Sequence, residues 1–283
     1  MVVKIFLHAR FVVIGVAVIV ILLPFSGRLF GPWKEYSNND RARLVVVNAF
    51  AVSHPGHYVA FEDLRGEDVN VRPDGGSVSV VLSPRSPYMN GTVQGHGYRT
   101  GVELLPSGEV DLPRLVDTGA TRALDALGEE AETDVESAAA TLSGIEGPVV
   151  VTALVWLARP LSEDAARKSW RNGFDTVFLG PLDAETSPVS WSPSACAWRG
   201  IGDCDAEMMR SPVRQFQRWV SLLEENDAPS LRQLNLDLQE VRTRAQEGLV
   251  HGYLVTGRSE ELTKLSKDHN IRQMQIVDVV FDS

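Results

Sequence analysis

Imidazoles, thiols and paired carboxylates are the groups through which this chain could do chemistry. His54-Pro55-Gly56-His57 sets two imidazoles three residues apart, and His96 follows in Gly95-His96-Gly97. Three imidazoles brought together by their loops would suit a transition metal. Each one stands in a Gly/Pro-rich turn, however, where a histidine ordinarily serves only local hydrogen bonds. Asp203-Cys204-Asp205 places two carboxylates beside a thiol, fewer oxygen ligands than a calcium cage needs. There is no H-E-x-x-H, no Gly-Lys-Ser/Thr phosphate loop and no G-x-S-x-G elbow. Residue spacing therefore assigns no catalytic residue, no cofactor and no metal ligand, and the chain reads as a non-enzyme.

The chain's two cysteines, Cys196 and Cys204, lie in Ser-Ala-Cys-Ala-Trp-Arg-Gly-Ile-Gly-Asp-Cys-Asp. The loop between them is short and contains two glycines that ease closure. Two thiols with no nearby histidine do not make a zinc site, and a redox pair usually has C-x-x-C spacing. On an exported chain this pattern predicts a disulfide, Cys196–Cys204, with loop closure contributing roughly 2–3 kcal/mol. Trp191 and Trp198 flank or enter the loop. They can form a recognition surface or pack back onto a sheet, and packing is the commoner outcome. Asn90-Gly91-Thr92 is a glycosylation sequon that matters only in a eukaryotic secretory pathway.

Where such a site would operate is set by the first elements. Phe11–Gly27 is 17 residues without a charge, spanning about 26 Å as a helix. Residues 1–34 hold Lys4, Arg10, Arg28 and Lys34 and no acid. The exit, Leu23-Pro24-Phe25-Ser26-Gly27, lacks an A-x-A pattern, so an uncleaved signal anchor is favoured over a cleaved signal peptide. The expected order is a cytoplasmic tail at 1–10, a transmembrane anchor in the lipid bilayer at 11–27 and a juxtamembrane linker at 28–43. Trp33 lies where interfacial aromatics concentrate. The remaining 249 residues carry 23 basic and 37 acidic side chains, a net of −14. That charge repels nucleic acid and anionic headgroups, so no nucleic-acid partner is expected. The bulk of the chain is placed outside the cell membrane, where most of its acidity serves solubility.

Residues 44–145 read as a β-rich segment followed by an acidic-faced helix. Leu44–Val52 is apolar and β-branched, a strand by composition. Short strands among Gly, Pro and Ser turns follow to residue 112. Asp117 or Thr118 then caps a helix whose apolar stripe runs Ala120, Leu124, Leu127, Ala131, Val135, Ala138, Leu142. Its other face holds Glu129, Glu130, Glu132, Asp134 and Glu136.

From residue 146 to 283 the order becomes regular. Pro148–Leu157 is a strand of the kind buried on both faces. Ser162 caps a short helix, and Thr176–Leu179 is a second strand. Residues 183–211 form a Pro/Ser/Gly-rich insertion holding the disulfide. Ser211-Pro212 opens a helix, and Ser230-x-x-Gln233 resembles a capping box for another that Gly248 stops. Leu249–Thr256 (strand), Ser259–Lys267 (helix) and Ile271–Phe281 (strand) close the chain. The expected fold class is α+β: an N-terminal transmembrane helix, a β-rich segment, and a ferredoxin-like split βαβ domain with a helical insertion.

Gly248-Leu249-Val250-His251-Gly252-Tyr253-Leu254-Val255-Thr256-Gly257-Arg258-Ser259-Glu260-Glu261-Leu262, with Ile271-Arg272 beyond, resembles the closing motif of the sigma-factor regulator C-terminal family. Trp156-Leu157-Ala158-Arg159-Pro160-Leu161-Ser162 is similar to that family's earlier strand and helix start. The resemblance covers about 148–281 and brings no catalytic residues. It implies the extracytoplasmic domain of a bacterial single-pass membrane protein. The ten residues before the apolar run are too few for a folded cytoplasmic module, so regulation would need a membrane or envelope protein partner. A sensory or regulatory binding domain is thus the leading expectation. Its alternatives are an envelope enzyme of hydrolase type without a readable motif, and an assembly component of a membrane complex.

Overall fold

The computed structural model of the chain describes residues 38–61, 64, 69–72, 75–84, 98–104, 110–112, 114–128, 135–145, 147–181, 189–197 and 199–281. The apolar run 11–27, Trp33, Asn90, His96, Trp198 and the acids Glu129, Glu130, Glu132 and Asp134 lie outside them. Among the described residues no helix is long and apolar enough to cross a membrane.

The first element among the described residues is a helix, α1, in which α-helical Asn38–Ala42 and Asn48–Ser53 flank a π-helical segment, Arg43–Val47. This corrects the strand expected at Leu44–Val52. Leu44, Val47, Ala49, Phe50 and Val52 are each at most 1% exposed. A run that is apolar on every side carries no period to separate strand from helix. Enclosure on all sides then outweighs the weak β-preference of its valines.

Five short strands follow: β1 His57–Val59, β2 Val69–Arg72, β3 Gly75–Pro84, β4 Tyr98–Leu104 and β5 Val110–Asp111. β3 pairs antiparallel with β1 and β2 along one edge and with β4 along the other, and β5 extends β4. Val78, Val80 and Leu82 of β3 are fully buried and alternate with partly exposed neighbours, the period of a half-buried strand. The stretch expected as one long helix contains α2, Gly119–Gly128, and α3, Val135–Ser143. Of the two cap candidates, Thr118 does the capping: its hydroxyl accepts from Thr121 N at 3.0 Å.

The second sheet contains β6 Val149–Ser162, β7 Thr176–Phe178, β8 Ser190–Trp191, β9 Leu249–Arg258 and β10 Ile271–Phe281. Helix α4, Glu163–Ser169, follows β6, and the insertion carries α5 Ala206–Arg210 and α6 Pro212–Val220. α7 Ala228–Gln233 and α8 Leu238–Glu247 precede β9, and α9 Ser259–Leu265 follows it. All pairings are antiparallel in the order β10-β6-β9-β7-β8. The molecule is thus α+β with two antiparallel sheets. Within the second, β6-α4-β7 interleaves with β9-α9-β10, the strand order of a split βαβ unit.

The caps explain the boundaries. Ser162 accepts from Ala165 N, and Ser211 from Arg214 N with Pro212 in the first turn. Gly248 ends α8 in the left-handed region at φ 60°. Ser230 does not cap α8, as the sequence suggested. It lies inside α7, the chain turns at Asn235 (φ 56°), and Asp237 caps α8 through Gln239 N and Glu240 N.

Both faces of the second sheet are covered. Leu154, Trp156, Phe178 and Leu254 pack with Ala120, Ala123, Leu124 and Leu127 of α2. Tyr253 lies on the other face with α4 and α9, its ring 4.8 Å from that of Phe174.

Candidate functional site

Two places gather chemistry-bearing side chains. The first is an open groove of about 530 Å3 where β6 runs past the sheet. A register shift between Trp156 and Leu161 releases Ala158-Arg159-Pro160 from β9, and all three are exposed. Ala158 N donates to Asn270 O at 2.8 Å, which ties this segment to the turn after α9. Leu161 and Ala165 supply apolar wall; Arg159 and Lys168 supply two cations. Asp268, His269 and Asn270 close the opposite side.

Among the described residues, Asp268 is the one carboxylate lining the groove. Burial by itself would raise its pKa. The Ser169 hydroxyl and the Asn270 backbone and side-chain nitrogens donate to it, His269 lies beside it, and together these hold it below the usual carboxylate range. Asp268 is thus an anchored anion that fixes the turn, while Arg159 and Lys168 stay exposed to an incoming ligand. On a domain of net negative charge, the arrangement favours a ligand with an anionic end and a small apolar body.

The second place is buried. The predicted pair Cys196–Cys204 stands at disulfide distance, with Cα atoms 5.9 Å apart. The enclosed loop carries Arg199, which is only 1% exposed. Its guanidinium lies between the Phe61 and Trp191 rings, 4.1 Å from each centroid. It donates to Asn48 Oδ1 at 2.9 Å and to Ser192 O at 2.7 Å. Asn48 Nδ2 in turn donates to Arg199 O at 2.8 Å and to Leu44 O at 3.0 Å, and Trp219 Nε1 donates to the same Leu44 carbonyl at 2.7 Å. The wide π-helical turn presents its carbonyls to these side-chain donors. One residue of α1 thereby holds the disulfide loop by both a side chain and a main-chain group.

The remaining sequence candidates are dispersed. His54 stacks on Phe50 at 4.4 Å, and His57 meets Tyr98 edge-on at 6.2 Å. Among the described residues no three His, Cys, Asp or Glu side chains group as metal ligands. Asp203 and Asp205 are exposed, and Asp205 caps α5 through Met208 N. Trp191 packs inward against Phe216 and Trp219, the commoner of the two outcomes weighed for it.

Sequence reasoning passed over Arg199, Asn48 and the whole groove. Asn48 had a usable signal, since a lone amide inside Leu44–Val52 must find a hydrogen-bond partner if that run is buried. The groove had none, because its cations come from segments a hundred residues or more from Asp268. Comparison with family models, with curated proteins and with solved structures finds no match for this chain.

Proposed function

We propose that the chain is a membrane-anchored extracytoplasmic domain with a sensory or regulatory binding role. In this reading residues 11–27 hold it in the cell membrane with the N-terminus cytoplasmic, and it acts through a membrane or envelope protein partner, with sigma-factor control as the regulated process. The observation that carries the binding role is the Arg159/Lys168 groove, a basic recess on a domain that is otherwise acidic. The apolar run and the resemblance over 148–281 support the location. The groove offers two cations beside an apolar wall, which suits recognition of a ligand with an anionic end.

The test uses the full chain in native membranes. A photocrosslinking residue at His269 should capture a distinct envelope protein or ligand, and the Arg159→Glu/Lys168→Glu double variant should lose it. Alkaline extraction should leave the chain in the membrane, and protease added from outside should digest the domain. Release at high pH would refute the anchor, and equal capture by the double variant would refute the groove.

A further inference from the structure

We infer that the Cys196–Cys204 disulfide is a redox latch that controls the order of α1. This goes beyond the binding role and does not rest on it. The two sulfurs are not equally protected: Cys196 is 2% exposed, whereas Cys204 is partly open to solvent. Met208 Sδ covers Cys204 from one side at 3.0 Å. A dithiol reductant therefore reaches Cys204 first. Its thiolate attacks Cys204 Sγ, the S–S bond breaks, and Cys196 leaves as a thiolate that takes up a proton. The reductant's second thiol then attacks the mixed disulfide and frees Cys204 as a thiol. Two electrons and two protons pass to the protein, and the dithiol becomes a disulfide.

What the bond restrains is specific. Arg199 sits near the middle of the closed loop, and its position between Phe61 and Trp191 requires the loop to stay folded over Asn48. Opening the ring restores the freedom that closure removed, which favours the released loop by on the order of 100-fold. Once Arg199 withdraws, Asn48 loses the partner of its Oδ1 and one acceptor of its Nδ2. Both groups lie at Asn48, the residue that follows the π-helical turn of α1. The network touches the second sheet at its edge strand β8, through Trp191, so the response belongs to α1, the loop and that edge and not to the central strands β6 and β9.

Hydrogen exchange by mass spectrometry on the full chain in nanodiscs tests this, with dithiothreitol as reductant and alkylation to confirm two free thiols. Reduction should speed exchange of amides 44–50 by roughly 10- to 100-fold, the range set by loop opening, and leave β6 and β9 unchanged. The Cys196→Ser/Cys204→Ser variant should exchange like the reduced protein with or without dithiothreitol. Oxidised Arg199→Met should loosen α1 with the disulfide intact. Unchanged exchange at 44–50 after complete alkylation would overturn the latch. So would an equal rise in every strand, which would mark a general staple, or wild-type protection of α1 in oxidised Arg199→Met.

Discussion

The contact between Asn48 and Arg199 can be weighed by a double-mutant cycle. Asn48→Leu keeps the size of the side chain and removes its polar atoms. The Arg199 Nη1 donor then loses a hydrogen bond of 2.9 Å, and the Arg199 carbonyl loses one of 2.8 Å, both in a buried setting. A hydrogen bond to a charged group contributes about 1.5–3 kcal/mol and a neutral one about 1 kcal/mol, with a larger penalty where a buried partner is left unmet. Asn48→Leu should therefore destabilise by roughly 3–5 kcal/mol, a large part of a typical 5–15 kcal/mol domain stability. Arg199→Met keeps the length but gives up two hydrogen bonds and two ring contacts, for a comparable loss of roughly 3–5 kcal/mol. Because both variants break the Arg199 Nη1–Asn48 Oδ1 bond, the double variant should fall short of the sum by about 1.5–3 kcal/mol. Urea denaturation followed by tryptophan fluorescence reads this directly, since Trp191 touches Arg199 and stands 5.6 Å from Trp219. Additivity within about 0.5 kcal/mol would refute the coupling.

Gly252→Ala would place a Cβ 2.4 Å from the Trp156 ring and 2.6 Å from Val155 O. It should lower stability by about 3 kcal/mol, whereas Gly101→Ala, with nothing within 4 Å, should change it by less than ~0.5 kcal/mol; equal denaturation midpoints would contradict the close approach. Burial lowers the His54 pKa, and its Nδ1–H bond to Phe50 O only partly offsets this. The folded state thus prefers the neutral ring, so its contribution is complete above the unfolded pKa of 6.5. It declines as pH falls below that value, by up to about 1.4 kcal/mol per pH unit until the folded pKa is reached. His54→Asn, whose amide can donate to the same carbonyl without titrating, should lose less stability than wild type between pH 7.5 and pH 5.5 in matched denaturation curves. Identical pH slopes would sink the assignment.

The C-terminal half was legible because its elements carry local signals. Ser162, Ser211 and Gly248 mark helix ends, and the run Val149–Leu157 has the length and composition of a buried central strand. The Cys196–Cys204 pair was legible from its short spacing on a chain read as exported. The N-terminal helix was not, because Leu44–Val52 is apolar in every direction and only its enclosure by other elements decides its conformation. The start of α8 was missed for a different reason: Ser230 and Asp237 are both good caps, and the left-handed Asn235 between them selects the second. The groove lay beyond sequence reasoning. Arg159 and Lys168 look like ordinary surface charges until the turn at Asp268–Asn270 is folded against them.

The place of β6 in its sheet has a consequence for how the chain folds. It is bonded on one side to β9 and on the other to β10, and the Thr152–Thr256 hydroxyl contact spans 104 residues. Its natural neighbours in sequence cannot satisfy it. Such long-range pairing must wait for most of the polypeptide and folds slowly. A nascent chain ending before Leu249 therefore exposes both edges of its most apolar strand, and one ending before Ile271 still exposes one. Holding back β10 therefore leaves one edge of β6 bare until that strand arrives.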